Sequence, residues 1–165
     1  MSYFIIIRGP LGVGKSTIAK KLAKILHAEY VSIDTVLEKY GLDKVKIEKW
    51  IPAKNFIKAT EIILPKIKEK LSHGKILILE ANFYHKKQIE HLVQNLSFPR
   101  YAFTLKAPLE VCIRRDSKRK KTLGKEATEA VYKLVSCFDY GTIIDTNKKT
   151  IDKIVKEIIS YIDLS

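Results

Sequence analysis

Residues 9–17 read Gly-Pro-Leu-Gly-Val-Gly-Lys-Ser-Thr, which fits the pattern G-x-x-x-x-G-K-[ST]. The pattern has a physical meaning only between a strand and a helix, and both neighbours are present. Tyr3-Phe4-Ile5-Ile6-Ile7 is continuously apolar and β-branched, as a strand covered on both faces requires. Beyond the motif, Ile18, Ala19, Leu22, Ala23, Ile25 and Leu26 recur with helical period. Glycines let such a loop wrap a polyphosphate so that successive N–H groups point inward, and the helix start adds its positive dipole end. Gly9, Pro10, Leu11, Gly12, Val13, Gly14, Lys15, Ser16 and Thr17 are therefore the candidate contacts to a nucleoside triphosphate. Lys15 is placed to reach the β- and γ-phosphates, and the Ser16 hydroxyl to ligate Mg²⁺.

Four more strands follow in an alternating pattern. Glu29-Tyr30-Val31-Ser32-Ile33 reads as a short strand ending at Asp34. Residues 35–73 are helical in flavour, with Pro65 expected to kink or break an amphipathic run and His73-Gly74 ending it. Lys75–Leu79 is a buried strand ending at Glu80; a helix at about 85–96 leads to the strand Tyr101–Leu105. Pro108 opens a helix that carries the basic run 114–121. A helix near 125–137, the strand Thr142–Ile144 ending at Asp145, and a closing helix complete the chain. Five short strands alternating with helices predict an α/β fold, an open parallel sheet with helices on both sides.

Ligands of such sheets bind at the carboxyl ends of the strands, where Asp34 and Glu80 stand beside the glycine loop. Asp34 is a candidate to orient an acceptor hydroxyl or take its proton; its alternative role is N-cap of a helix beginning at Thr35. Glu80 is a candidate for the acceptor site or for a Mg²⁺-bound water, the alternative being a solvated strand end. Asn82, with Phe83, Tyr84 and His85, is a candidate acceptor wall, although packing is the commoner role of such aromatics. Arg115 and Arg119 are four apart, expected on one helix face over the transferring phosphate. His27, His73, His85 and His91 share no metal-ligand spacing and are expected at the surface.

Composition narrows the partners. A chain of 165 residues is expected to form one domain, 1–165. Its formal charge of +13 invites nucleic acid, but 26 of the 31 basic residues are lysines scattered over polar helix faces, so a solvated coat is favoured. Cys112 and Cys137 fit no metal or redox spacing, the start lacks a charged leader, and the apolar runs are too short to span a bilayer. A cytoplasmic protein without membrane contact, monomer or homodimer, is expected.

Taken together, these residues resemble the small P-loop kinases, the group of shikimate and gluconate kinases, chloramphenicol phosphotransferase, adenylate-kinase-like enzymes and polynucleotide kinase. The resemblance covers nearly the whole chain. I-I-R-G-P-L-G-V-G-K-S-T looks like their P-loop, Asp34 falls where many keep a substrate-hydroxyl aspartate, and L-I-L-E-A-N-F resembles their Walker-B-like strand. C-I-R-R-x-x-x-R at 112–119 looks like their arginine-bearing lid, about 114–125, and I-I-D-T-N at 143–147, with Asn147, like the segment approaching adenine. The resemblance implies a P-loop NTPase fold, a three-layer αβα sandwich with strand order 2-3-1-4-5 and acceptor-binding helices at about 35–73. It also implies an ATP- and Mg-dependent kinase.

Two departures shape that implication. Glu80 replaces a usual aspartate, and residues 35–99 hold no arginine, whose bidentate fork nucleoside-monophosphate kinases use to clamp an acceptor phosphate. The expected acceptor is thus a hydroxyl-bearing metabolite or nucleoside. A polynucleotide 5′-hydroxyl or nucleotide kinase, and a non-kinase NTPase or ATP-binding module, are the alternatives. A guanine-reading N-K-x-D is not completed, since position 150 is threonine.

Overall fold

The computed structural model describes residues 1–44 and 50–163. Its elements are β1 (Phe4–Arg8), α1 (Lys15–Leu26), β2 (Glu29–Ser32), α2 (Ile33–Lys39), α3 (Ala53–Ser72) and β3 (Leu77–Glu80). There follow α4 (Lys86–Asn95), β4 (Arg100–Lys106), α5 (Leu109–Ser117), α6 (Lys125–Val135), β5 (Thr142–Asp145) and α7 (Ile151–Ser160). The five strands pair in parallel in the order β2-β3-β1-β4-β5, the order the resemblance implied.

Strand pleat explains why β1 shows no apolar alternation. Successive side chains point to opposite faces, and both faces are covered. Phe4 and Ile6 join Leu77 and Leu79 under α3, α4 and α6, where Phe56, Ile67, Leu92 and Val131 pack. Ile5 and Ile7 join Ile78, Phe103 and Leu105 under α1, α5 and α7, where Leu22, Cys112 and Ile158 pack. The central strand is consequently buried along its whole length, whereas the edge strand β2 is only half-buried.

Two expectations need correction, and part of a third lies beyond the described residues. Pro65 lies inside α3 without ending it. It is on the exposed side, between the buried Leu64 and Ile67, so solvent can satisfy the carbonyl it leaves without a partner while the buried face holds the helix. The helix expected to carry the basic run 114–121 stops at Ser117, with Lys118 as C-cap. Of the helical stretch expected at 35–73, residues 45–49 lie outside the described residues.

The turn into β5 is set by one close approach. Gly141 has φ +71°, and a Cβ there would lie 2.1 Å from the Ala102 carbonyl oxygen on β4. Gly141→Ala should therefore cost about 2–4 kcal/mol, the strained backbone and the clash together. Urea unfolding checks this, and a change within about 0.5 kcal/mol would refute the packing described.

Candidate active site

The glycine loop connects the end of β1 to the start of α1 at the carboxyl edge of the sheet. Gly14 caps α1 with no side-chain hydrogen bond, so the first helical N–H groups remain available to an anion. Gly12, at φ +75°, packs flat on α5: a Cβ there would lie 2.2 Å from the Cys112 carbonyl oxygen. Gly12, Gly14, Lys15, Ser16, Thr17, Arg115 and Arg119 line a cavity of about 240 Å³. Of the remaining motif residues, Leu11 lines a second cavity, Pro10 borders β4, Val13 belongs to the core, and Gly9 lies against Leu105.

Lys15 is buried, and its Nζ donates to the Pro10 carbonyl at 2.8 Å. Burial lowers its pKa, while the charges of Glu80 and Asp34 oppose that shift. Arg115 donates from Nη1 to Val13 O and Thr146 Oγ1, and from Nη2 to Thr146 O, each at 3.3 Å. It thereby ties the loop to the residue after β5. Asn147 is not among the residues lining the phosphate cavity; its backbone N–H donates to Asp145 Oδ1 at 2.8 Å.

Arg119 reaches the same cavity from outside the helix, contrary to the shared helix face expected for it and Arg115. The cause is Asp116. Its buried carboxylate accepts from Thr122 Oγ1 at 2.7 Å and from the backbone of Leu123 at 3.2 Å and Gly124 at 3.3 Å. Those bonds fold the following segment back, and Lys118 and Arg119 close the helix with tighter i→i−3 bonds. Arg119 is paired with Asp116 at 3.5 Å.

Asp34 belongs to the first turn of α2, which begins two residues earlier than Thr35. Ser32 is the cap, its Oγ accepting from Thr35 N at 3.3 Å, so the N-cap alternative for Asp34 is overturned. Burial pushes the Asp34 carboxyl up to about 6; Lys15 opposes this, Glu80 and Glu38 add to it, and Arg119 opposes it. Glu80 is only 2 % exposed, not a solvated strand end, and its Oε2 accepts from Tyr30 OH at 2.9 Å. Burial first, then Glu80, pushes the Tyr30 phenol up to about 12, while the nearby Ser16 and Ser32 hydroxyls pull it down.

The β3–α4 loop forms the far wall. Asn82 is 7 % exposed, and its Oδ1 is buried without a hydrogen-bond partner. Phe83, at φ +48°, is core. Tyr84 accepts from Ile51 N at 2.9 Å, and His85 Nε2 donates to Ile51 O at 2.7 Å. Hence His85 is not a plain surface residue, and neither is His91, partly buried 3.4 Å from Glu61. A second cavity, of about 320 Å³, is lined by Asp34, Asn82, Tyr84 and Leu123 among others.

Sequence reasoning missed two residues. Tyr30 was visible only as part of a strand, and its partner emerges from the β2–β3 register that sets Ser32 beside Glu80. Arg8 carried a signal, a charge inside an otherwise apolar central strand. It is fully buried and donates to Val135 O, Phe138 O, Thr104 Oγ1 and Phe83 O.

A glycine loop at the carboxyl edge of a parallel 2-3-1-4-5 sheet, joined to a helix whose first residue is a buried lysine, defines a P-loop nucleotide-binding α/β protein. The family model described as an AAA domain matches residues 4–135. A shikimate kinase of Francisella tularensis subsp. novicida is 30% identical over 183 aligned positions, covering 96% of this chain and 93% of the relative. Among solved structures, a sugar kinase from Janibacter sp. HTCC2649 superposes with a TM-score of 0.82 at 16% identity, over 100% of this chain and 96% of that one. The tunicamycin resistance protein of Deinococcus radiodurans gives a TM-score of 0.73 at 19% identity, over 100% and 98%. The chain belongs to the small P-loop kinases.

Two stability effects follow from Glu80 and Asp34. Tyr30→Phe removes the phenol donor from Glu80 and should cost about 1–3 kcal/mol in urea unfolding. Asp34 behaves oppositely. Its folded pKa of about 6 exceeds the ordinary 3.8, so the folded chain holds that proton more tightly and stability falls as pH climbs through about 6. Asp34→Asn escapes this cost and should melt above wild type at pH 8, by roughly 1–3 kcal/mol, yet alike near pH 4. A variant melting below wild type at pH 8 would contradict the placement.

Proposed function

We propose that the chain transfers the γ-phosphoryl group of ATP to a hydroxyl of a small molecule. In this reading 1–165 is one kinase domain, with an acceptor side at about 35–73 and a lid at about 114–125. One observation carries it: Lys15 and Asp34 line different cavities yet feel each other's charge. A cationic group of the phosphate cavity and a carboxylate of raised pKa thus lie within range of each other's charge. Two of the similar proteins are named as kinases of shikimate and of a sugar, both hydroxyl compounds, which supports the same reading.

The roles follow from the positions. The loop N–H groups and Lys15 hold the β- and γ-phosphates. Arg119 neutralises charge that grows on the γ-phosphoryl group as it leaves, while Arg115 fixes the loop that holds the donor. Asp34 orients the acceptor hydroxyl and takes its proton. Ser16, in the lining of the phosphate cavity, and, through water, Glu80 are the hard oxygen groups that would hold Mg²⁺, which when bound would offset phosphate charge. Glu80 is held for that task by the Tyr30 phenol.

Acceptor-stimulated ADP release tests the reading. Lys15→Ala should lower it more than about a hundredfold without unfolding the chain, since it removes charge stabilisation at the transferring group. Arg119→Ala should lower kcat for any acceptor and for slow ATP hydrolysis alike, whereas Asp34→Asn should spare hydrolysis more than transfer. The rate of transfer should rise with pH through about 6 as Asp34 loses its proton, in the field of Lys15, Glu80, Glu38, Arg119 and Tyr84. Asp34→Asn should abolish that limb; a limb that persists would remove Asp34 from the proton-transfer role.

A further inference from the structure

We propose that the phosphoryl acceptor carries an amine cation as well as its hydroxyl, on a partly apolar body, and binds between α2, the β3–α4 loop and α6. This rests on the kinase reading above, because it names what that reaction acts on.

The 320 Å³ cavity has a mixed lining. Its polar part is Asp34 and Glu38 of α2, Asp43 beyond it, and Asn82. Asn82 Oδ1 is an acceptor buried with no partner, and Asp43 Oδ1 is buried with no hydrogen bond among the described residues. A buried acceptor left unmade costs about 1–3 kcal/mol, and only a donor recovers it. An ammonium group is all donors, whereas a hydroxyl has a single one, which here goes to Asp34. The clustering is not a by-product of composition: the chain has 31 Lys and Arg against 18 Asp and Glu, yet three acids converge here. Among the described residues this lining holds no lysine, arginine or histidine.

Interleaved with these in the lining are the apolar Leu37, Trp50, Tyr84 and Leu123. Trp50 and Leu123 are 42 % and 61 % exposed, large apolar groups left open at the rim. Such a rim suits an apolar ligand body. The three carboxylates in the same lining attract a cation. An acceptor bearing carboxylate or phosphate would instead meet acids.

The transfer balances without the amine. The acceptor oxygen bonds to the γ-phosphorus as the β–γ bridging P–O bond breaks, and ADP leaves with that electron pair. The hydroxyl proton passes to the Asp34 carboxylate and from there to solvent. Glu38, Asp43 and Asn82 hold the ammonium throughout.

The test measures ADP release and thermal melting with ATP across matched probes. These are aryl and alkyl amino alcohols, their N-acetylated forms, and the anions shikimate, gluconate and guanosine 5′-monophosphate. The amines should exceed their N-acetyl forms by at least about tenfold in kcat/KM, a modest return for a close charge pair. They should also raise Tm where the N-acetyl forms do not. Glu38→Lys should reverse the order between amines and anions. Should it fail to fold, Asp43→Asn, nearly the same shape without the charge, should narrow the amine advantage. N-acetyl forms or anions matching the amines in both readouts would overturn the proposal, and so would a panel without effect in either. The kinase reading fails on a separate observation, namely Lys15→Ala retaining wild-type ATP-dependent melting and ADP release.

Discussion

The guanidinium of Arg8 ends the central strand in the middle of the molecule, and its hydrogen bonds go to neutral oxygens. Val135 O and Phe138 O lie at 2.9 and 3.0 Å, Thr104 Oγ1 at 3.1 Å and Phe83 O at 3.3 Å. Its plane lies over the Phe138 ring, 4.3 Å from the centroid. Burial lowers its pKa to about 10, against the pull of Asp139, and at that value it remains charged. A buried charge tolerates few arrangements of its partners. Arg8 thus fixes the end of α6, the neighbouring strand β4, and the loop that presents Asn82, all at the residue before the glycine loop starts. Lysine, with one compact donor centre, has no equivalent fork.

From that anchor the candidate site divides into two cavities. One is lined by the glycine loop, the start of α1 and two arginines. The other is lined by α2, the β3–α4 loop, α6 and the approach to it, with Leu11 of the glycine loop. Lys15, Asp34 and Glu80 interact electrostatically across the boundary. Glu80 is kept in place by Tyr30 from the edge strand, so even the half-buried β2 contributes to the centre.

The sheet was legible because its central strand and its motif obey local rules. Five apolar residues covered on both faces, and a glycine loop between strand and helix, leave little freedom for the rest. Helix ends were less legible, since each was decided by a side chain from beyond the local pattern. Ser32 and Asp34 are both good caps two residues apart, and only the structure selects Ser32. Asp116 ends α5 by accepting from residues six to eight positions later, a choice no periodicity records. Pro65 broke a local rule without breaking α3, because its exposed side tolerates the lost bond. The tie between Tyr30 and Glu80 depended on strand register, and register is a property of pairs.

The Asp116 turn leaves Arg119 and Leu123 four residues apart on one short segment, yet Arg119 lines the cavity of the glycine loop and Leu123 the one beside α2. Holding each residue of such a segment still costs about 1–2 kcal/mol of backbone entropy. A ligand in either cavity that restrains the segment has already met that cost for the other. Two occupants that both restrain it would be thermodynamically linked, each tightening the other's affinity by the same factor without touching it. A single carboxylate that folds the chain back on itself thus puts two cavities that share no lining residue under the control of one short segment.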